Sequence, residues 1–546
     1  MRRSGRGVRQ NGAGAGFHVL GGAPPPLEPP RLLFRGLLLL GLVLALSVPG
    51  QAGVAVESPV DPEYRAALDL VYDGAFSAAE ARLAALAGTH PQDPLAPYLQ
   101  ALALEWRLEQ TPQSSAHDAE VLAFAERALA LAEARLGANA QDGRALLVRG
   151  AAHGALSRLH LFRWDRSPAS REAGRMREAL LAARAAGVTA LDLDFGLGLY
   201  DYYADTLPRL FKLLAFVLGI PAGDRERGRE AIARVAHGGS LFHDAEARVQ
   251  MYDINTFFEQ RPDRALLWIR EMWRRYPGWP RWGMKLAELL REPLGLFSES
   301  SAVCREILDT ATHHRHVNYQ PVVADIAQVL LAESLLLDLR LDEARTHALL
   351  ALGSATAPTW VTGRAELVIA RSLELQGDAV AARAHYAAAA AGPDRPASRR
   401  AAAALRSPAS PALAAATRLL ARSRRAGDAG DAGAAERLCL EAFRLDPDGD
   451  EGRLCAARSA LGEGRAAEAR KLARAVTEEG APWLRPQARL VLATALEREG
   501  ARDDAVASYS AVWEQPYARP SLRAEAAAAL ARLAPDVLRQ PPRFER

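Results

Sequence analysis

The sequence predicts an all-α protein, a solenoid of stacked helical hairpins with an irregular helical insertion in its middle third. Three observations carry this expectation. Alanine, leucine and arginine, all good helix formers, dominate the 546 residues. One packing register recurs seven times, with an alanine five residues after a turn position at Ala79, Ala265, Ala344, Ala382, Ala435, Ala469 and Ala505. The turn position is glycine in five of those units: Gly74, Gly377, Gly430, Gly464 and Gly500.

Residues 1–52 stand apart from the body. Of the 68 basic and 65 acidic residues, six arginines and one glutamate fall in this leader, so the body is close to neutral. A general nucleic-acid partner is therefore not expected. Arg31 and Arg35 precede the apolar run "GLLLLGLVLALSV" at 36–48, and small residues follow near Ala52. That order describes a secretory signal, or an uncleaved N-terminal anchor, with residues 1–30 disordered. The body is expected outside the cytoplasmic membrane, in the periplasm or attached to the envelope, and the leader is the expected point of any membrane association.

In the body, a larger residue stands four positions beyond the register alanine at Leu83, Ile269, Tyr386 and Tyr509, with Ala348, Cys439 and Ala473 as smaller versions. A small residue also stands seven positions before the turn, at Ala67, Ala370, Ser423, Ala457 and Ala493. Two short helices cross closely only where small side chains let their backbones approach, and the larger residue fills the adjoining gap. Pro91, Pro277 and Pro447 stop second helices, because proline lacks the N–H a continuing helix needs. Each hairpin keeps an apolar face that it buries only by stacking on the next.

In this register the chain resembles the tetratricopeptide-repeat family, whose hairpins repeat about every 34 residues. Gly430 to Gly464 spans 34 residues, and the likeness covers 62–110, 246–280, 324–392 and 411–516. The resemblance implies a right-handed superhelix that binds protein or peptide along its inner groove. The expected organisation is N-terminal repeat-like helices at 53–190, a helical insertion at 191–245, central repeats at 246–392, an irregular link at 393–410 and C-terminal repeats at 411–546.

The stretch 117–245 reads as helical but out of period. Within it, "GLGLYDYYADTLPRLFKLLAFVLGIPAGDRERG" combines close-packing glycines, an apolar helix at 207–220 and a capping Asp224. Gly198, Tyr200, Leu207, Pro208, Gly223, Asp224 and Gly228 resemble the eukaryotic tetratricopeptide proteins related to the yeast inclusion-body clearance factor. That likeness implies a helical insertion rather than a catalytic loop. The Gly219–Gly228 turn lacks a preceding strand and a Gly-Lys-Ser/Thr, so capping and packing outweigh phosphate binding.

No nucleophile, metalloprotease or dinucleotide motif occurs, so the chain is not expected to be an enzyme, and no catalytic residue, metal or cofactor is assigned. The "HHRH" at 313–316 reads as a solvated loop. Cys304, Cys439 and Cys455 read as buried small residues, with a bond between the last two open if their helices are neighbours. Arg371, Arg424 and Arg458 stand six residues before three of the turns, which the family analogy puts on the groove side; they read either as candidate carboxylate ligands or as solvated arginines. The family's carboxylate clamp uses lysine and asparagine, which this pattern does not match. The aromatic-rich stretch with arginine around Trp279 and Trp282 reads first as core packing, with Trp279 and Trp282 as candidate interface residues in the alternative reading.

The leading expectation is an exported scaffold or assembly factor of the cell envelope. The alternatives are a membrane-surface protein using the 207–220 helix, and an enzyme with a site in the 190–245 insertion, which would need a pocket where Asp201, Asp205, His237 or His243 converge.

Overall fold

A left-handed residue in the turn of each hairpin sets the architecture. In the computed structural model, which describes residues 56–110, 114–206, 221–515 and 518–539, Gly74, Gly377, Gly430, Gly464 and Gly500 have φ of 78°, 99°, 82°, 81° and 80°. The turns share one bonding pattern. Gly74 N–H donates to Val71 and Ala75 N–H to Leu70, just as Gly464 donates to Leu461 and Arg465 to Ala460. This double closure satisfies the carbonyls that a helix end leaves open.

Among the described residues there are 24 α-helices and no strand. The first twelve are α1 (Asp61–Tyr72), α2 (Phe76–Thr89), α3 (Leu95–Leu108), α4 (Asp118–Ala138), α5 (Gly143–Phe162), α6 (Arg166–Ala185), α7 (Leu191–Thr206), α8 (Arg225–Ala236), α9 (Asp244–Asp253), α10 (Pro262–Arg275), α11 (Pro280–Arg291) and α12 (Phe297–Thr312). There follow α13 (Pro321–Leu337), α14 (Leu341–Leu352), α15 (Thr359–Gln376), α16 (Ala379–Ala391), α17 (Arg395–Arg406), α18 (Pro411–Asp428), α19 (Ala432–Leu445), α20 (Asp450–Gly462), α21 (Ala466–Glu479), α22 (Arg485–Arg498), α23 (Arg502–Trp513) and α24 (Pro520–Leu533). The chain is an all-α solenoid of tetratricopeptide-like hairpins.

The register alanines do the predicted work. Six of the seven are at most 1% exposed, as are Ala67, Ala370, Ala457 and Ala493 on the partner helices. Ala435 is the exception: it is only half-buried, because it borders a cavity.

Two stretches differ from expectation. Within 393–410, read as an irregular link, residues 395–406 are helical as α17: the Asp394 carboxylate caps the Ala397 N–H at 3.0 Å and Pro396 sits in the first turn, where no N–H is needed. The middle third holds a unit hidden from the sequence. Trp164 (φ 58°) takes the turn position between α5 and α6, with buried Ala169 five residues later and Ser157 seven before, whose hydroxyl donates to the Ala169 carbonyl at 2.9 Å. Leu339 (φ 60°) and Gln260 (φ 51°) likewise replace glycine, so the left-handed conformation belongs to the hairpin rather than to one residue type.

The helices α7 and α8 pack at backbone distance. A Cβ on Gly228 would lie 2.5 Å from the Tyr202 nitrogen and 2.6 Å from the Gly198 oxygen, so these glycines allow the approach. Asp224 caps α8 through the Arg227 N–H at 3.0 Å. The apolar 207–220 stretch and the 1–52 leader lie outside the described residues, and no described helix is long and apolar enough to cross a membrane.

The N-terminal half closes on itself. The Trp282 indole N–H donates to the Tyr72 carbonyl at 2.8 Å, the Gly278 N–H to Asp73 at 2.7 Å, and Asn318 bridges the Asp73 and Gly278 carbonyls. The Phe76, Trp106, Trp279 and Trp282 rings stack edge to face behind this seam at centroid distances of 5.0–6.2 Å. One continuous core therefore runs from Val56 to Ala327.

Candidate binding groove

The chain makes a second long-range approach further on. Trp483, just before α22, packs on the α11–α12 turn, its ring 5.5 Å from that of Phe297. Between this contact and the helices α18, α19, α20 and α24 lies a cavity of about 820 Å³. Leu296, Phe297, Leu454, Trp483, Pro486 and Leu522 supply apolar wall; Arg424, Arg458, Arg519 and Gln487, with the carboxylates Glu299, Asp338, Asp428, Glu436 and Glu451, supply polar groups.

One wall is covalent. Cys439 on α19 and Cys455 on α20 form a disulfide with Cα atoms 6.2 Å apart, so the reading of these two as simple buried residues is corrected. Helices of successive hairpins are neighbours, which brings the two sulfurs together. Cys304 is free and fully buried, and burial pushes its thiol up to about 12.

The three sequence-nominated arginines have different surroundings. Arg424 grips Glu451 through two nitrogens at 2.9 and 2.7 Å, donates to the Leu337 carbonyl at 3.0 Å and lies 3.5 Å from Asp338. Burial opposes its charge, but Glu451 overcomes that and holds its pKa above the usual value. Arg424 thus ties α13, α18 and α20 together, and its hydrogen-bonding fork is spent inside the protein. Arg371 lies outside the cavity and pairs with Glu374 at 2.6 Å, which also accepts from the Tyr386 hydroxyl.

Arg458 differs. Its hydrogen-bond partner is the neutral Gln487, and loss of surrounding water together with the charge of Arg519 holds its pKa below the usual value. Neither Arg458 nor Arg519 forms a salt bridge among the described residues. Sequence reasoning missed Arg519 and Trp483, because both stand in connections between helices, where no periodicity marks them.

Trp279 and Trp282 are 6% and 0% exposed. They are corrected from outward-facing candidates to parts of an internal seam, where their rings close α11 onto α1 and α3. The residues considered for an enzyme in the insertion do not converge. Asp201 pairs with Arg227 at 2.8 Å, the Asp205 carboxylate accepts the Arg225 N–H, and the His237 ring lies 5.1 Å from Trp268. His243 joins a buried relay: Asp192 accepts from its Nδ1 at 2.9 Å and the Tyr98 hydroxyl bonds its Nε2 at 2.9 Å. Asp192 also accepts the Leu241 and Phe242 N–H groups, so the relay pins the α8–α9 loop. At 313–316 the exposed His313 ring contacts Asp309 at the end of α12.

Neither any protein-family model nor any curated protein sequence matches the chain. Among solved structures, the tetratricopeptide domain of P58(IPK) is 16% identical over 81% of this chain and 99% of that one, with a TM-score of 0.20. A structure of Naa15/Naa10 bound to HypK-THB is 13% identical over 88% and 80%, with a TM-score of 0.18. Scores so low carry no weight for the fold, which rests on the hairpins themselves.

Proposed function

We propose that the chain is an exported protein-binding scaffold that holds a peptide segment of a partner in the groove between α11–α12 and α18–α24. The observation that carries this reading is the pair Arg458 and Arg519, two neighbouring cations that form no salt bridge among the described residues, on the wall of a cavity of about 820 Å³. Guanidinium groups grip carboxylates in a planar fork, so the fitting segment places a carboxylate at this pair, away from Glu299, Asp428 and Glu436 of the same lining, with apolar side chains for Trp483, Phe297 and Leu522. Export is supported by the leader sequence and by the Cys439–Cys455 bond, which persists in oxidising compartments.

The test is fluorescence anisotropy with labelled peptides that alternate glutamate and leucine. The double variant Arg458→Gln/Arg519→Gln should lose at least tenfold in affinity, while Arg371→Gln binds normally. Equal affinity for the double variant and the parent would remove the reading. Export is checked by protease accessibility in intact cells, with and without residues 1–52.

A further inference from the structure

The hairpin that forms one side of the groove departs from the packing of its neighbours. At the position four residues beyond the register alanine, Leu83, Ile269, Tyr386 and Tyr509 fill the gap between helices and are at most 4% exposed. In the α18–α19 hairpin that position is Cys439. The local core is only Ala416, Leu419 and Ala442, and Ala435 is half open to the cavity. Cys439 is small there, as Ala348 and Ala473 are in two other hairpins, but it is the one of the seven that carries a covalent bond to the next helix.

The bond is placed to be reached. Cys439 is 2% exposed, but Cys455 is partly exposed, and both line the groove. The helices it joins also belong to the groove's charged surface: α20 carries Arg458 and Glu451, and Glu451 holds Arg424 of α18. The third cysteine cannot exchange with the pair, because Cys304 is fully buried in a different part of the core.

We propose that the Cys439–Cys455 disulfide is a redox latch on the groove: oxidised, it fixes the α18–α19 wall against α20, and reduced, it releases that wall while the rest of the solenoid stays folded. The binding part of this inference rests on the groove reading above. In the releasing step a dithiol reductant attacks one sulfur through its thiolate. The Cys439–Cys455 bond breaks, and the second thiol of the reductant displaces the resulting mixed disulfide. Two electrons and two protons pass to the protein, which gains two thiols, and the reductant leaves as its own disulfide.

The cross-link closes a loop with a sequence separation of 16 residues. Losing such a loop raises local opening by on the order of a hundredfold. The test uses the full chain, oxidised or treated with dithiothreitol and then iodoacetamide. Mass spectrometry should count two alkylated thiols, Cys304 staying unlabelled. Hydrogen exchange should then rise about a hundredfold within 411–462 and stay unchanged in the 56–327 body, and the double variant Cys439→Ser/Cys455→Ser should reproduce this without reductant. Unchanged exchange at 411–462, or a rise spread over the whole chain, overturns the latch. In parallel, anisotropy of the glutamate–leucine peptide should show at least a tenfold weaker complex after reduction. Equal binding in both states also overturns the latch as a control of the groove. If the oxidised chain binds no peptide while exchange still responds locally, the groove reading fails and the conformational latch stands.

Discussion

Gly74 and Gly464 occupy the same place in two hairpins, with φ of 78° and 81°, yet alanine at the two positions should behave differently. A left-handed backbone costs a residue with a Cβ about 1 kcal/mol, and both variants carry that cost. At Gly464 the new Cβ meets no atom within 4 Å, so the backbone term stands alone. At Gly74 it would lie 2.7 Å from Asn318 Nδ2 and 2.9 Å from Trp279 Cγ. Neither neighbour is free to withdraw: Asn318 is bonded to the Asp73 and Gly278 carbonyls, and Trp279 is held between Phe76, Trp106 and Trp282. Overpacking of that kind adds about 1–3 kcal/mol. The expected losses are therefore about 1 kcal/mol for Gly464→Ala and about 2–4 kcal/mol for Gly74→Ala. Long repeat arrays need not unfold as one unit, so the assay is amide hydrogen exchange at the helices flanking each turn, which reports the local opening free energy. Equal losses at the two sites would show that the 276–282 and 313–320 segments do not close on the α1–α2 turn. No loss at Gly464 would refute the account of the turn itself.

Three further outcomes follow from the packing. Burial raises the Glu105 carboxyl from near 4.5 to about 8. A folded-state value above the unfolded one means this group costs stability increasingly from about pH 4.5 to 8 and by a constant amount above, so Glu105→Gln should flatten that slope and stabilise the chain at pH 9 by on the order of 2 kcal/mol, read by urea titration at pH 5 and pH 9. Asp192→Ala leaves the His243 ring and the Leu241 and Phe242 N–H groups without their acceptor, and should cost about 3 kcal/mol, seen as a lower Tm and faster exchange in the 237–243 loop. Ala469→Leu, at a closed helix crossing, should cost about 1–3 kcal/mol, while Ala435→Leu, beside the cavity, should cost less than about 0.5 kcal/mol; similar costs in chemical denaturation would contradict the difference in packing.

The hairpins were legible because their contacts are local: a turn, a small residue five positions on and another seven positions before it lie within one short window. The same dependence on glycine concealed the α5–α6 unit. Its turn geometry matches the others, but Trp164 adopts the left-handed conformation that glycine takes elsewhere, and nothing in a tryptophan announces it. The link at 395–406 was misread for the opposite reason: Pro396, Pro408 and Pro411 suggest a break, while Asp394 and Pro396 supply a helix start. The candidate site was legible only in part. Register analogy put Arg371, Arg424 and Arg458 on one footing, but a register fixes where a side chain starts, not which partner it meets. Glu374 and Glu451 decide that for two of them, one from the next turn of the same helix and one from 27 residues away. Trp282 meets Tyr72 across 210 residues, and no periodicity spans such a distance.

The cavity lies where the repeat's packing rule fails. In the hairpins that turn at Gly74, Gly377, Gly464 and Gly500, a buried alanine seven positions before the turn pairs with a buried alanine five after it. In α18–α19 the first of these is Ser423, whose hydroxyl is turned to the Ala435 carbonyl at 2.6 Å, and Ala435 itself stays half open. Cys439 also leaves less side-chain volume there than the buried Tyr386 of the α15–α16 hairpin. Volume missing from a stacked array must appear as collapse or as a void. Collapse is prevented here from both sides: Arg424 props α18 against the Leu337 carbonyl and Glu451, and Trp483 seats on Gly295 and Phe297 across the gap. Ser423, Ala435 and Cys439 line the void, and two long-range struts with one covalent bond keep it open.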